Sequence, residues 1–107
     1  PPRSTLFPYT TLFRSLEFVR DIPLSKGERS YETLLGVEND LGKLKDIPML
    51  IAWAGKDFVL NQAILKTWRE KFPGAEVEEY PDAGHYIQED AHDRVVPRIQ
   101  RFLQDHP

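Results

Sequence analysis

The chain has 107 residues, 40% of them apolar and 29% charged, with a formal net charge of -3 and no cysteine. That composition suits a small globular unit, while the acidic balance and scattered basic residues exclude general attraction to nucleic acid or an anionic membrane. The absence of cysteine excludes disulfides, a thiolate metal site and a cysteine nucleophile together.

The first fifteen residues, PPRSTLFPYTTLFRS, carry no initiator Met and repeat Thr-Leu-Phe at residues 5–7 and 11–13. A secretory leader needs a basic start, a continuous apolar middle and a small-residue cleavage site; Pro8, Tyr9, Thr10 and Thr11 interrupt the middle. A hairpin fits poorly as well, because the bend at Pro8 and Tyr9 offers no Gly or Asn to take positive φ. The stretch instead resembles a short-read sequencing adapter translated in one frame, up to and including Ser15. Residues 1–15 are therefore read as an adapter-derived artefact, and the natural sequence is expected to start at Leu16, its preceding portion lost. Without Arg3 and Arg14 the net charge becomes -5.

Residues 16–30 have no sustained period and include Pro23, Gly27 and a mixed charge cluster, as a connecting segment would. Over residues 31–45, Leu34, Leu35, Leu41 and Leu44 recur near helical spacing, with Ser30 placed to cap the first turn and Gly36 and Gly42 weakening the pattern. Asp46-Ile-Pro48 stops this element. The longest apolar run, residues 48–54, is far shorter than the roughly 20 residues that span a bilayer. Its residues 49–54 read as a strand covered on both faces in a parallel sheet.

After Gly55-Lys-Asp57, residues 61–72 predict a helix with Ile64, Leu65, Trp68 and Phe72 on one face, Asn61 as its N-cap and Pro73-Gly74 as its stop. Residues 75–80 predict a second, more polar strand nearer a sheet edge, and Pro81-Asp-Ala-Gly84 turns the chain to His85. A last helix over residues 92–104 presents Val95, Val96, Ile99, Phe102 and Leu103, with Pro97 in its first two turns. Helix, strand, helix, strand, helix is the order of an α/β layer fold with right-handed crossovers.

Asp57 and His85 each fall just past the C-terminal end of a predicted strand, where open parallel sheets bind ligands. Alone, such an Asp is a turn former or helix cap and such a His a structural residue. At matching strand ends they also form a dyad, in which a carboxylate fixes the imidazole tautomer and leaves the other nitrogen as a base. The remaining conspicuous residues read as structural. Trp53 is core, Trp68 and Phe72 pack a helix face, and Glu89 and Asp90 open the final helix at the positive end of its dipole. His92 and His106 lack a second ligand at metal spacing.

Three stretches together, Trp53-Ala-Gly55-Lys-Asp57-Phe, Leu65-Lys-Thr-Trp68-Arg-Glu-Lys-Phe72-Pro73-Gly-Ala75-Glu and Asp82-Ala-Gly84-His85-Tyr86-Ile-Gln-Glu89-Asp90, resemble the C-terminal part of an α/β-hydrolase. The resemblance is strongest to the branch that holds the haloalkane dehalogenases and β-lactone decarboxylases. Phe18-Val-Arg-Asp-Ile-Pro23-Leu is similar to that branch's return from lid to main sheet. The resemblance implies an α/β fold fragment, the last two parallel strands with flanking helices, in which residues 16–30 are the lid-to-core connection and residues 31–107 belong to the core. It implies a cofactor-independent, cytoplasmic hydrolase acting on a small apolar or lipid-like substrate, with Asp57 as triad acid and His85 as base. Phe58 and Tyr86 are candidates to line the pocket.

Neither triad residue is the nucleophile, which in this superfamily sits on a G-x-S-x-G elbow or its Asp counterpart. The nearest candidate, Gly27-Glu-Arg-Ser30-Tyr, lacks the second Gly and a preceding strand. The chain alone is thus expected to be inactive. The alternative is a non-catalytic relative that keeps the sheet as a binding or signalling module. The genomic locus is expected to lack PPRSTLFPYTTLFRS and to encode a strand-elbow-helix nucleophile motif upstream of Leu16; sequencing it checks both, and an upstream region without that motif contradicts the enzyme reading.

Overall fold

The computed structural model describes residues 16–107, so the expectation for residues 1–15 lies outside the described residues. The chain divides into two compact units between Leu41 and Gly42.

The described part of the first unit contains a helical stretch at residues 16–20 and helix α1, Tyr31–Asp40. The stretch expected to be a mere connection is therefore partly helical. It is ordered by charge: Arg29 donates through Nε to Asp21 Oδ1 at 2.7 Å, and the Leu24 N–H donates to Glu28 Oε2 at 2.7 Å. The expected cap at Ser30 does not form. Ser30 takes a left-handed conformation (φ 75°) and makes no side-chain cap, because its hydroxyl donates to Asp21 Oδ1 at 3.3 Å instead. The expected single helix over residues 31–45 also breaks. Beyond Asn39 and Asp40, both poor helix formers, the chain tightens into a 3-10 turn, Leu41–Leu44, that includes Gly42. No residue of α1 is buried among the described residues.

The second unit holds two parallel strands, β1 (Leu50–Ala54) and β2 (Glu76–Tyr80), in register Leu50 with Glu76 through Ala54 with Tyr80. The connection is helix α2, Gln62–Lys71, and after β2 come the one-turn helix α3, Ile87–Asp90, and helix α4, His92–Asp105. Asn61 caps α2 as the sequence indicates, accepting from the N–H groups of Ala63 (3.0 Å) and Ile64 (3.3 Å).

Strand alternation assigns the helices to opposite faces. One face carries Ala52, Ala54 and Tyr80, which pack with Ala83, Ala91 and Val95 into a core beneath α4. The other carries Trp53 and its register partner Glu79, and Gln62 and Arg69 of α2 both reach Glu79. Leu65 of α2 is the most completely buried large side chain, 1% exposed. Both strands bury their C-terminal ends best: Trp53, Ala54 and Tyr80 are buried, whereas Leu50, Ile51 and Ala52 are half-buried. The expectation that β1 is covered on both faces therefore holds only at its C-terminal end among the described residues; its other edge is open, since β2 alone pairs with it there.

Helix α4 starts at His92, as the sequence indicates; the acidic pair Glu89 and Asp90 belongs instead to the one-turn α3, with Ala91 (φ -137°, ψ 23°) between the two helices. Pro97 falls in the second turn of α4, where the missing N–H removes one helical bond.

A close backbone approach at Gly55 joins the turns after the two strands. A Cβ added at Gly55 would stand 2.5 Å from Pro81 Cα and 2.9 Å from its carbonyl oxygen. Gly55→Ala is expected to destabilise the chain by about 1–3 kcal/mol, the usual range for forcing an atom into a packed site, read as a lower urea midpoint; an unchanged midpoint would show that the two turns separate freely.

Candidate active site

The hydrogen-bonded ladder of β1 and β2 continues past the strand ends. The Gly55 N–H donates to the Tyr80 carbonyl at 2.8 Å, and the Lys56 N–H to the Ala83 carbonyl at 2.9 Å. These bonds fix the two post-strand turns against one another, and the next residue of the first turn is Asp57.

Asp57 is the only buried charged residue among the described residues, 8% exposed. Burial of a carboxylate costs free energy unless its oxygens are satisfied. Here Oδ1 accepts from the N–H groups of Val59 (2.9 Å) and Leu60 (3.0 Å), and Oδ2 lies 2.8 Å from His85 Nδ1. Burial pushes the carboxyl pKa up, but the Leu60 N–H, the His85 imidazole and the Val59 N–H together outweigh it and hold it below the ordinary value near 3.8. An ionised Asp57 requires the proton of the shared bond to sit on Nδ1. Neutral His85 then presents Nε2 as an acceptor.

The imidazole is held on one side and open on the other. Its side chain is 46% exposed, its ring meets Tyr86 edge-on at 5.4 Å, and Nε2 makes no hydrogen bond among the described residues. Chemically this is an oriented base: a buried carboxylate fixes the tautomer and stabilises the imidazolium that forms when Nε2 takes a proton.

The two residues that the sequence singled out thus come together at the C-terminal ends of adjacent parallel strands. The two flanking aromatic candidates do not enclose a pocket among the described residues: Phe58 is 87% exposed and Tyr86 is exposed beside the ring. Val59 and Leu60, which follow Phe58 in the chain, are exposed as well. A groove of about 480 Å³ lined by Ile47, Pro48, Met49, Phe72 and Pro73 opens near the other, N-terminal ends of the strands. His106 also lines it, with Nε2 3.2 Å from Glu76 Oε1, but both of those side chains are more than a third exposed, whereas the carboxylate of the Asp57–His85 pair is buried. Ser30, the nearest match to an elbow serine, gives its hydroxyl to Asp21 and shares its unit with no histidine.

Sequence reasoning missed the residues that build the site without facing it. Gly55 permits the close approach to Pro81, Asp82 makes a two-pronged ion pair with Arg94 (2.8 and 2.9 Å), and Asp90 accepts the Gly84 N–H at 2.8 Å. Glycines ending one strand and preceding the histidine were the available signal.

The family described as the alpha/beta hydrolase fold matches residues 7–92. The chain belongs to that family. Among curated relatives, it is 43% identical over 91 residues to a cis-3-alkyl-4-alkyloxetan-2-one decarboxylase of Shewanella oneidensis, across 85% of this chain and 29% of that protein. It is 36% identical over 93 residues to the decarboxylase of the same name from Xanthomonas campestris pv. campestris, across 87% of this chain and 31% of that protein. A more distant match, 31% identical over 85 residues, is a dihydrolipoyllysine-residue acetyltransferase component of an acetoin cleaving system from Pseudomonas putida, covering 79% of this chain and 20% of that protein. The chain therefore spans less than a third of the length of the relatives it matches. No solved structure matches it. Among the described residues no helix is long and apolar enough to cross a membrane.

Because the folded Asp57 pKa is lowered, its carboxylate adds stability above the unfolded-state value, and that stability is lost as pH falls through the folded value. Urea midpoints measured from about pH 5 down to about pH 2 are expected to fall more steeply for the wild type than for Asp57→Asn. Parallel curves would contradict the buried, ionised Asp57.

Proposed function

We propose that the chain is the C-terminal section of an α/β-hydrolase enzyme and that Asp57 and His85 are the acid and base of its catalytic triad. The observation that carries this reading is the 2.8 Å Asp57–His85 bond at the ends of parallel strands, with Nε2 open. In this reading residues 16–30 connect a lid to the core, residues 31–107 belong to the core, and the nucleophile lies in the part of the family's length that this chain does not span. His85 Nε2 takes a proton from the attacking group or from the water that resolves the covalent intermediate, and Asp57 steadies the resulting imidazolium.

The substrate class that fits best is a four-membered lactone with two alkyl arms, an oxetan-2-one from which carbon dioxide is lost. Identities of 43% and 36% to proteins of that name support it, as do the exposed apolar side chains of Phe58, Val59, Leu60 and Tyr86, close in sequence to Asp57 and His85. Such side chains give alkyl chains a surface on which to leave water, and the enzyme needs no cofactor for this chemistry. Dehalogenase, epoxide hydrolase and esterase chemistry use the same acid and base, and substrate preference separates them.

The test uses the longer reading frame that contains this chain, assayed for carbon dioxide release from a cis-3,4-dialkyl oxetan-2-one. His85→Gln and Asp57→Asn are each expected to lower kcat by at least about 10³-fold, the scale seen when triad members are removed. The 107-residue chain alone is expected to show no turnover. Full activity in His85→Gln sinks the assignment, and an elbow carrying neither Ser, Asp nor Cys would instead make the protein a non-catalytic binding or signalling module.

A further inference from the structure

The loop that carries His85 is fastened at both ends in the core. Ala83 and Ala91 flank it, and both are 0% exposed. Between them the chain closes on itself. The Tyr86 carbonyl accepts from the N–H groups of Glu89 (2.9 Å) and Asp90 (3.0 Å), and Ala91 donates to the Ile87 carbonyl at 2.9 Å. The closing bond is made by a side chain: Asp90 Oδ2 accepts the Gly84 N–H at 2.8 Å.

Gly84 directly precedes His85, so this bond fixes the Ala83–Gly84 peptide plane, one residue before the Cα from which the imidazole departs. The fit there is close. A Cβ added at Gly84 would stand 3.1 Å from the same Oδ2. A hydrogen bond to an ionised acceptor is roughly twice as strong as a neutral one, which suits a carboxylate to hold the loop. Glu89, the adjacent acid, has no side-chain partner of this kind among the described residues, so the two acidic residues are not equivalent.

We propose that Asp90 is a positioning residue for His85: its carboxylate clamps the Gly84 N–H and thereby sets the backbone from which the His85 ring reaches Asp57. The proposal rests on the reading of His85 as the base. Asp57 orients the ring only if the loop delivers the ring to it, because a 2.8 Å bond tolerates little displacement of the His85 Cα. Asp57 and Asp90 therefore act in series, one on the ring and the other on the loop.

The test is a nitrogen-15 and amide-exchange NMR measurement on the longer reading frame that contains this chain, which reads the His85 tautomer and the Gly84 exchange rate without requiring turnover. In the wild type His85 is expected to carry its proton on Nδ1, with the Gly84 amide protected. In Asp90→Ala the Gly84 amide is expected to exchange at least about tenfold faster, the change for losing one hydrogen bond to a charged acceptor. The tautomers are then expected to mix while the amides of Ala54 and Tyr80 stay protected. Asp90→Asn, whose amide oxygen can accept the same bond, retains the wild-type tautomer; Gly84→Ala reproduces the defect, and Glu89→Ala does not.

Two outcomes overturn the proposal alone: a wild-type tautomer and Gly84 rate in Asp90→Ala, or equal acceleration at Gly84, Ala54 and Tyr80, which would make Asp90 a general stabiliser. A wild-type chain with no preference for Nδ1–H overturns both the dyad reading and this proposal.

Discussion

The structure of the site depends on one bare contact, the approach of Gly55 to Pro81. With no side chain between them, the turn after β1 lies directly on the turn after β2, and the ladder extends through Gly55 to Tyr80 and Lys56 to Ala83. A parallel pair normally ends where its strands diverge toward their crossovers. Here it persists just far enough to carry Asp57 and His85 to within 2.8 Å of each other although 28 residues separate them in sequence. The position of the dyad is thus a backbone property first and a side-chain property second.

The electrostatics are graded around that geometry. β2 carries glutamates on both faces, and each face is answered from the helix that covers it. Arg98 of α4 pairs with Glu76 and Glu78, and Arg69 of α2 pairs with Glu79 at 3.2 Å. The Arg69–Glu79 pair is about half exposed, and pairs of that kind add little, whereas the Arg98 side chain is only 16% exposed; together they let a strand with three glutamates pack beneath helices. Asp57 is different because it is buried and its oxygens are met by two backbone N–H groups and an imidazole. A charge satisfied in this way is held in one protonation state, which an orienting carboxylate requires.

The alternation of helix and strand, the α2 cap at Asn61 and the placement of Asp57 and His85 at strand ends were all legible in the sequence, because each rests on local chemistry: apolar period, capping propensity, and glycine or proline punctuation. What was not legible depends on contacts between distant segments. Local sequence marks Ser30 as a cap, but the distant Asp21 takes its hydroxyl. Local sequence marks Asp90 as a dipole partner of the last helix, but its carboxylate holds Gly84, six residues back. The burial of β1 was overstated because an apolar run shows what a strand is able to bury, while the neighbours actually present decide how much it does bury.

The central claim is that Asp57 and His85 act as one unit. A double-mutant cycle on kcat/KM in the longer reading frame, with Asp57→Asn, His85→Gln and the double variant, measures that directly. If the pair is a unit, the double variant loses no more activity than the worse single variant, because either change already disables the oriented base. If the two losses multiply, the residues contribute independently and the account is contradicted.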